Sequence, residues 1–438
     1  MRTTAVFAAI FLLFTNVDSA VAQGNSLLWK ISGNGLIAPS YLYGTMHTKD
    51  SRVFRLADSV LLAFESCEAF AMEVIIDDAS KLNILQGLFM DTSYSLKNLL
   101  TPEQYDSVDQ YCRKNTGQGI KNYEKLKPVY TAAILSQFVY NPSDTTSDDQ
   151  QYFLDEYFQH LATGQQKKVH GLETIAEQLH VFDVLSYPHQ AELLMQTVRR
   201  SNSEAKSYDD MVRYYLDNDL VKMMSFENDY SLPDSLYDGL ITVRNHRMAD
   251  RMDTLIKRKS TFVAVGAGHL GETEGLVNLL RDKGYTVLPV IPTYLNYLPN
   301  GWYRKTSSRN HFKADFPAVP LLSNEEINGA HFFHYTAVAS TYYTEKHSYD
   351  VYVGEGIQDS VLLHVLQHHY KMKVYFDKIA PDATQHNKFQ LILETTDGRN
   401  CTFQCFERNQ QVYVLLYTYK RKANKEFRNR FFSSFQLL

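Results

Sequence analysis

Apolar residues recur along this chain with two periods, and the switches between them mark out its elements. Short apolar or alternating runs bounded by Gly, Asn, Pro or Ser predict strands; apolar positions three and four apart predict helices. Residues 27–32 (Leu-Leu-Trp-Lys-Ile-Ser) and 40–45 are runs of the first kind, split by Gly33-Asn34-Gly35, a hairpin signal. Leu56, Val60, Leu61 and Phe64 then fall at helical spacing, and residues 69–75 read as a buried strand entering an acidic turn. From about 80 to 258 helical stripes dominate, with starts such as Thr101-Pro102-Glu103, an N-cap followed by proline. Val169-His170-Gly171 adds one short strand to this stretch. Residues 261–265 are again strand-like, 272–283 helical and 285–291 strand-like, with Gly284 as the helix cap.

Two of the strand-to-helix joints carry the same motif, Gly-x-x-His: Gly44-Thr45-Met46-His47 and Gly266-Ala267-Gly268-His269. Glycine lets the backbone turn sharply or approach a ligand. A histidine just past a strand tip can serve as metal ligand or acid/base. The chain therefore reads as an α/β fold whose parallel-strand core is built from two β–GxxH–α–β units with a large helical insertion between them. Right-handed crossovers would cover each unit with its helix. In such sheets sites form beyond the carboxyl ends of the strands, where His47, His269 and Glu73 are expected to meet.

Past residue 292 the texture changes. Residues 293–310 are rich in Pro, Asn, Tyr and Ser and read as a linker. Residues 311–438 read as a small α+β domain: paired strands over 331–353, a helix over 359–371, a meander over 389–396, 400–407 and 411–419, and a last segment from Glu426. One antiparallel sheet with a helix or two is expected there.

The N-terminus reads as a secretory signal over residues 1–22: Arg2, an apolar run over 5–14, and Ala20-Val21-Ala22 as the cleavage site. The first domain then spans 23–292, and a periplasmic or secreted location follows. No other stretch reaches transmembrane length. The net charge of −5 is spread along the 438 residues and argues against a nucleic-acid surface. Cys67, Cys112, Cys401 and Cys405 show no C-x-x-C or zinc-finger spacing and are expected as free, buried thiols.

The motifs resemble the TraB/GumN family. The resemblance is carried by Tyr41-Leu-Tyr-Gly-Thr-Met-His47, Ala71-Met72-Glu73, Gly171-Leu-Glu-Thr-Ile-Ala-Glu-Gln178, the Arg244-Asn245 pair and Gly266-Ala-Gly-His269, with Lys127-Pro128 and Leu154-Asp-Glu-Tyr-Phe158 as further features. That family includes the TIKI metalloproteases and is related to the erythromycin esterase and ChaN-like folds. The resemblance implies two Gly-x-x-His motifs converging on one site, with hydrolysis in some branches. Carried over to this chain, His47, Glu73 and His269 are the candidate catalytic group.

Their chemistry allows two routes. Two neutral imidazoles and a carboxylate can hold one divalent ion (Mn, Co or Zn) with a position open for water. A histidine held by a carboxylate can also activate water with no metal. Glu173 could enter the cleft or begin a helix; Arg244 could bind a substrate carboxylate or phosphate, or pair internally with Asp155 or Glu173. The preferred reading is a hydrolase acting on a peptide or small molecule. The alternatives are a peptide- or ligand-binding protein that keeps the cleft without turnover and, as the ChaN-like relation implies, haem or iron binding.

Other signals carry less. His364 and His368 are four apart, but no glutamate follows His364. Gly266-Ala-Gly-His-Leu-Gly271 matches G-x-G-x-x-G without an acidic residue on the next strand for a ribose. No G-x-S-x-G is present.

Overall fold

The structure, a computed structural model, describes residues 26–48, 50–75, 87–139, 153–200, 204–223, 238–327, 330–341, 345–355, 381–382, 388–394, 400–419 and 423–438. The signal over 1–22, the helix expected over 359–371 and the pair His364/His368 lie outside these residues.

The hairpin forms as expected. β1 (Leu28–Ser32) and β2 (Ser40–Thr45) pair antiparallel, Leu28 opposite Tyr43 and Ile31 opposite Ser40. Gly33, Asn34 and Gly35 all take positive φ (78°, 45° and 80°), a run that larger side chains resist. α1 (Asp58–Ser66) buries Val60, Ala63 and Phe64 and feeds β3 (Ala69–Met72), which is buried along its length.

The helical stretch contains α2 (Pro102–Thr116), α3 (Pro128–Val139), α4 (Leu154–Gly164), the short strand β4 (Lys168–Gly171), α5 (Ile175–His180), α6 (Tyr187–Arg200), α7 (Glu204–Leu216) and α8 (Val243–Ile256). α2 shows how local sequence sets its ends. Thr101 and Gln104 form a reciprocal capping box around Pro102, and Gly117 closes the helix at φ 71°. Residues of α2, α3 and α6, among them Val108, Leu135 and Leu194, form a core of their own, apart from the sheet.

β5 (Thr261–Gly266), α9 (Leu276–Asp282) and β6 (Thr286–Pro289) complete the first sheet. α9 starts later than the helix expected from 272; the residues after β5 form instead a short 3-10 turn, Ala267–His269. The strand order is β4-β3-β5-β2-β1-β6. β2, β5, β3 and β4 run parallel to one another, and β1 is antiparallel to both β2 and β6. The two Gly-x-x-His segments therefore interleave: β5 inserts between β2 and β3, while β2 and β1 separate β5 from β6.

The sheet core is aromatic. Phe158 of α4 stacks on Phe262 of β5 (centroids 5.4 Å apart), and Phe64 of α1 meets the same ring edge-on at 5.3 Å. Such pairs add about 0.5–1.5 kcal/mol each beyond burial.

The later residues form two further sheets rather than one. β7 (Tyr303–Ser307), inside the stretch read as a linker, pairs with β8 (Phe312–Phe316). β9 (Leu321–Ile327), β10 (Ala330–Thr341), β11 (Glu345–Glu355), β12 (Pro381–Asp382), β13 (Lys388–Glu394), β14 (Asn400–Arg408) and β15 (Gln411–Tyr419) make an antiparallel sheet in the order β12-β13-β14-β15-β11-β10-β9. α10 (Lys425–Ser434) precedes β16 (Gln436–Leu437), which joins β8. α10 and the small sheet pack on one face of the large one through Phe431, Trp302, Tyr349 and Tyr417.

The fold is thus mixed α/β, with one sheet containing parallel strands and additional antiparallel sheets. Among the described residues no helix is long and apolar enough to cross a membrane. The four cysteines are all buried.

Candidate functional site

Four parallel strands end on the same edge of the first sheet, and each is followed by one residue singled out by sequence. The order β4-β3-β5-β2 sets Glu173, Glu73, His269 and His47 along that edge. The β3–β4 pairing continues past the strands: Leu172 N–H donates to Met72 O at 2.8 Å and Glu173 N–H to Glu73 O at 2.7 Å. Two carboxylates are thereby set side by side, and α8 supplies the cation between them.

α8 buries Arg244, Asn245, Met248, Ala249, Met252 and Ile256, one continuous stripe. Its first turn therefore points two polar side chains toward the core, where each needs partners. Arg244 Nη2 donates to Glu73 Oε2 (2.5 Å) and Glu173 Oε2 (2.7 Å), its Nε to Glu173 Oε2 (2.9 Å), and its Nη1 to Leu240 O (3.2 Å). Gln178 Nε2 bridges the same two carboxylates at 3.1 and 3.2 Å, and Arg247 Nη1 reaches Glu173 Oε1 at 3.2 Å. Of the partners offered to Arg244 by sequence, Glu173 is realised and Asp155 is not.

Glu73 Oε1 accepts from Gly266 N–H at 2.7 Å and lies 3.8 Å from His269 Nε2. A Cβ on residue 266 would sit 3.3 Å from that oxygen, so glycine keeps the approach open. Burial pushes the Glu73 pKa up, but a protonated His269, the Arg244 guanidinium and the Gly266 N–H outweigh it and hold it below the usual value. Burial, partly offset by the Glu73 charge, pushes the His269 pKa down. Arg244 is therefore the cation that keeps Glu73 ionised at neutral pH.

The two motif histidines differ in setting. His269 is buried, its side chain 7% exposed, and its Nδ1 pairs with Asn245 Oδ1 at 2.7 Å. His47 has a side chain 60% exposed; its Nδ1 pairs with Asp155 Oδ2 at 2.9 Å, and its ring stacks on Phe153 at 4.1 Å. Loss of solvent around the buried edge of His47 works against its charged form, but the hydrogen bond and charge of Asp155, with the Glu73 charge, raise its pKa. Gly44 lies under the second motif: a Cβ there would come within 2.5 Å of Leu270 Cδ1 and 3.1 Å of Ala267 Cα. Each motif glycine thus permits a close approach.

The structure brings Glu73, Glu173 and Arg244 into one bonded cluster with His269 Nε2 3.8 Å from Glu73, and sets His47 at the neighbouring strand end, turned to Asp155. Asn245, Gln178 and Asp155 were not singled out as site residues by sequence. All three lie within segments that carry the family resemblance, and Asn245 also sits on the apolar stripe of α8. Both are signals that could have found them.

A metal ion can be tested against this donor set. His269 Nε2 and Glu73 Oε1 have suitable chemistry, and their 3.8 Å separation is close to that of two ligands each about 2.1 Å from one ion. Among the described residues, however, no three His, Cys, Asp or Glu side chains are grouped to hold one. The expected His47/Glu73/His269 ligand set is present here only as its His269–Glu73 half.

Such a chain is an α/β protein with a cluster of charged and polar side chains at the carboxyl ends of its parallel strands, a position used for hydrolysis and for ligand binding alike. Residues 27–289 match the TraB/PrgY/gumN family, and the chain belongs to that family. It is similar to the metalloprotease TIKI2 of Danio rerio, 25% identical over 328 residues that cover 62% of this chain and 62% of that protein. It is also similar to metalloprotease TIKI2 of Xenopus tropicalis (23% over 363 residues, 70% of this chain and 68% of that one) and to metalloprotease TIKI1 of Homo sapiens (23% over 364 residues, 70% of each). The chain thus spans under two thirds of the length of the Danio rerio TIKI2 protein it matches. No solved structure matches it.

Proposed function

We propose that this protein is an exported hydrolase acting on peptide bonds, and that His47, Glu73 and His269 form its working site with the two Gly-x-x-His segments as its halves. The observation that carries this reading is the state of the two imidazoles. Each has Nδ1 tied to an oxygen acceptor on a helix, which leaves Nε2 with the lone pair in the neutral ring. Glu73, ionised and within 3.8 Å of His269, is the group to hold and deprotonate the attacking water. Exposed His47, with its raised pKa, is suited to return a proton to the leaving amine. Arg244 and Glu173 support Glu73; the guanidinium has Nε, Nη1 and Nη2 all engaged, so contact with a substrate carboxylate would require it to release a partner.

The TIKI relatives are named metalloproteases, which supports a divalent ion as cofactor. His269 Nε2 and Glu73 Oε1 would hold it, with His47 Nε2 as the candidate third donor. When bound, such an ion would polarise the scissile carbonyl and acidify its water. A metal-free route has its own support in the His47–Asp155 pair, an imidazole held by a carboxylate.

The test is turnover of a peptide panel by the purified protein, with and without chelator, beside His47→Ala and His269→Ala. Both substitutions should abolish turnover, and on the metal route metal content should fall as well. Turnover that survives both removes the site as read; loss of turnover on chelation selects the metal route.

A further inference from the structure

Asp155 is the least expected residue in this region, and both of its oxygens are committed. Oδ1 accepts from the Thr45 hydroxyl at the end of β2, and Oδ2 pairs with His47 Nδ1 at 2.9 Å. Asp155 lies in the first turn of α4, where a carboxylate also favours the helix dipole. In the same turn Glu156 Oε2 accepts from Phe153 N–H at 3.0 Å, fixing the residue whose ring covers the His47 imidazole at 4.1 Å, 12° from parallel. The helix itself is anchored in the sheet core by Leu154, Tyr157, Phe158 and Leu161. His47 is thus held at one ring face and at one nitrogen, although it follows a strand on an exposed loop.

The second motif repeats the arrangement with different chemistry. Asn245 Oδ1 meets His269 Nδ1 at 2.7 Å, while Asn245 Nδ2 donates to Glu274 O at 2.8 Å. That second bond fixes which way the amide points, so the atom facing His269 is an acceptor. An ionised carboxylate is an acceptor too. In both rings Nδ1 must therefore carry the hydrogen, and in the neutral ring Nε2 must carry the lone pair.

We propose that Asp155 is a positioning residue for His47, locking the Nδ1–H tautomer and so keeping the lone pair on Nε2, as Asn245 does for His269. The inference rests on the hydrolase reading only for what Nε2 then does; the tautomer is a property of the resting protein. A neutral imidazole left to itself favours the Nε2–H form, in which Nε2 can neither accept a proton nor bind an ion. Removing an orienting partner of this kind lowers activity or metal affinity by about 10–100-fold.

The experiment is a two-bond 1H–15N correlation spectrum of the full chain labelled at histidine nitrogens, in alkaline buffer where the imidazoles are neutral, with His47 assigned through His47→Ala. Wild-type His47 should show the Nδ1–H pattern. Asp155→Ala should move it toward Nε2–H, and Asp155→Asn, whose amide oxygen can still accept, should retain Nδ1–H. In a peptide assay Asp155→Ala should lower kcat about 10–100-fold with KM unchanged, and Asp155→Asn should recover part of it. An Nε2–H pattern at wild-type His47 overturns the proposal whether or not any variant folds, and so does an unmoved Nδ1–H pattern in Asp155→Ala. If the tautomer moves as expected while no peptide is cleaved, the positioning role stands and the hydrolase reading falls.

Discussion

The Arg244 guanidinium sits between the Glu73 and Glu173 carboxylates, donating from one nitrogen, Nη2, to both at 2.5 and 2.7 Å. Parallel pairing of β3 and β4 forces those carboxylates together, and the cation between them offsets their mutual repulsion. Arg244→Ala should therefore destabilise the fold by about 3–5 kcal/mol, the usual cost of stripping a buried charge of its partner. Arg244→Lys should recover only part, because an ammonium cannot also supply the bonds that Nε makes to Glu173 and Nη1 to Leu240 O. Urea unfolding of the two variants is the check, and near-wild-type stability of Arg244→Ala would refute the clamp.

A second buried ion cluster lies in the large antiparallel sheet. His334 Nδ1 meets Glu325 at 2.6 Å and its Nε2 meets Asp350 at 3.0 Å. Burial works against its charge, but hydrogen bonds to Asp350 and Glu325 outweigh it and push the pKa from 6.5 up to about 9. A raised folded value stabilises the fold fully below the unfolded value, and this is lost as pH rises through the folded one. Unfolding midpoints should therefore decline between pH 6.5 and about 9. His334→Gln should flatten that part of the profile.

Gly44 tests the packing of one motif on the other. A Cβ there would approach Leu270 Cδ1 to 2.5 Å and Ala267 Cα to 3.1 Å. The leucine tip can move, whereas the backbone at Ala267, two residues before His269, cannot move without disturbing the second motif. Gly44→Ala should cost about 1–3 kcal/mol, as overpacking generally does, and should lower activity beyond what the stability loss explains. Thermal melts and turnover measured together would separate the two effects.

Gly164 ends α4, the helix that carries Asp155, and it abuts β9. A Cβ there would lie 2.6 Å from Leu322 O and 2.9 Å from Ser323 Cα. Helix propensity alone would favour alanine by about 1 kcal/mol. The contact with backbone should reverse that sign, so that Gly164→Ala lowers the melting temperature. A rise would show that the helix and the strand do not meet as described.

Elements were legible where a local pattern decides them. The hairpin needed Gly33-Asn34-Gly35 to take positive φ, and α2 needed Thr101, Pro102 and Gly117; each signal lies within a few residues of its effect. The extent of α9 was less legible, because apolar spacing cannot tell a helix start from the turn that precedes it at 272–275. The strand at Tyr303–Ser307 was missed because its partner, Phe312–Phe316, decides it more than its own polar sequence does.

By itself the sequence determined most strands and helices of the first sheet, the family, and the short list of residues able to do chemistry. The elements and the candidate residues follow from composition and spacing along one segment at a time, and the family from the resemblance of whole motifs. Only the tertiary structure decided that β5 inserts between β2 and β3, and hence which strand ends are neighbours. It alone paired Arg244 with Glu73 and Glu173, Asn245 with His269, and Asp155 with His47. Those pairings depend on how far each helix is rotated about its axis when its apolar stripe is buried, and that rotation is set by contacts with strands distant in the chain.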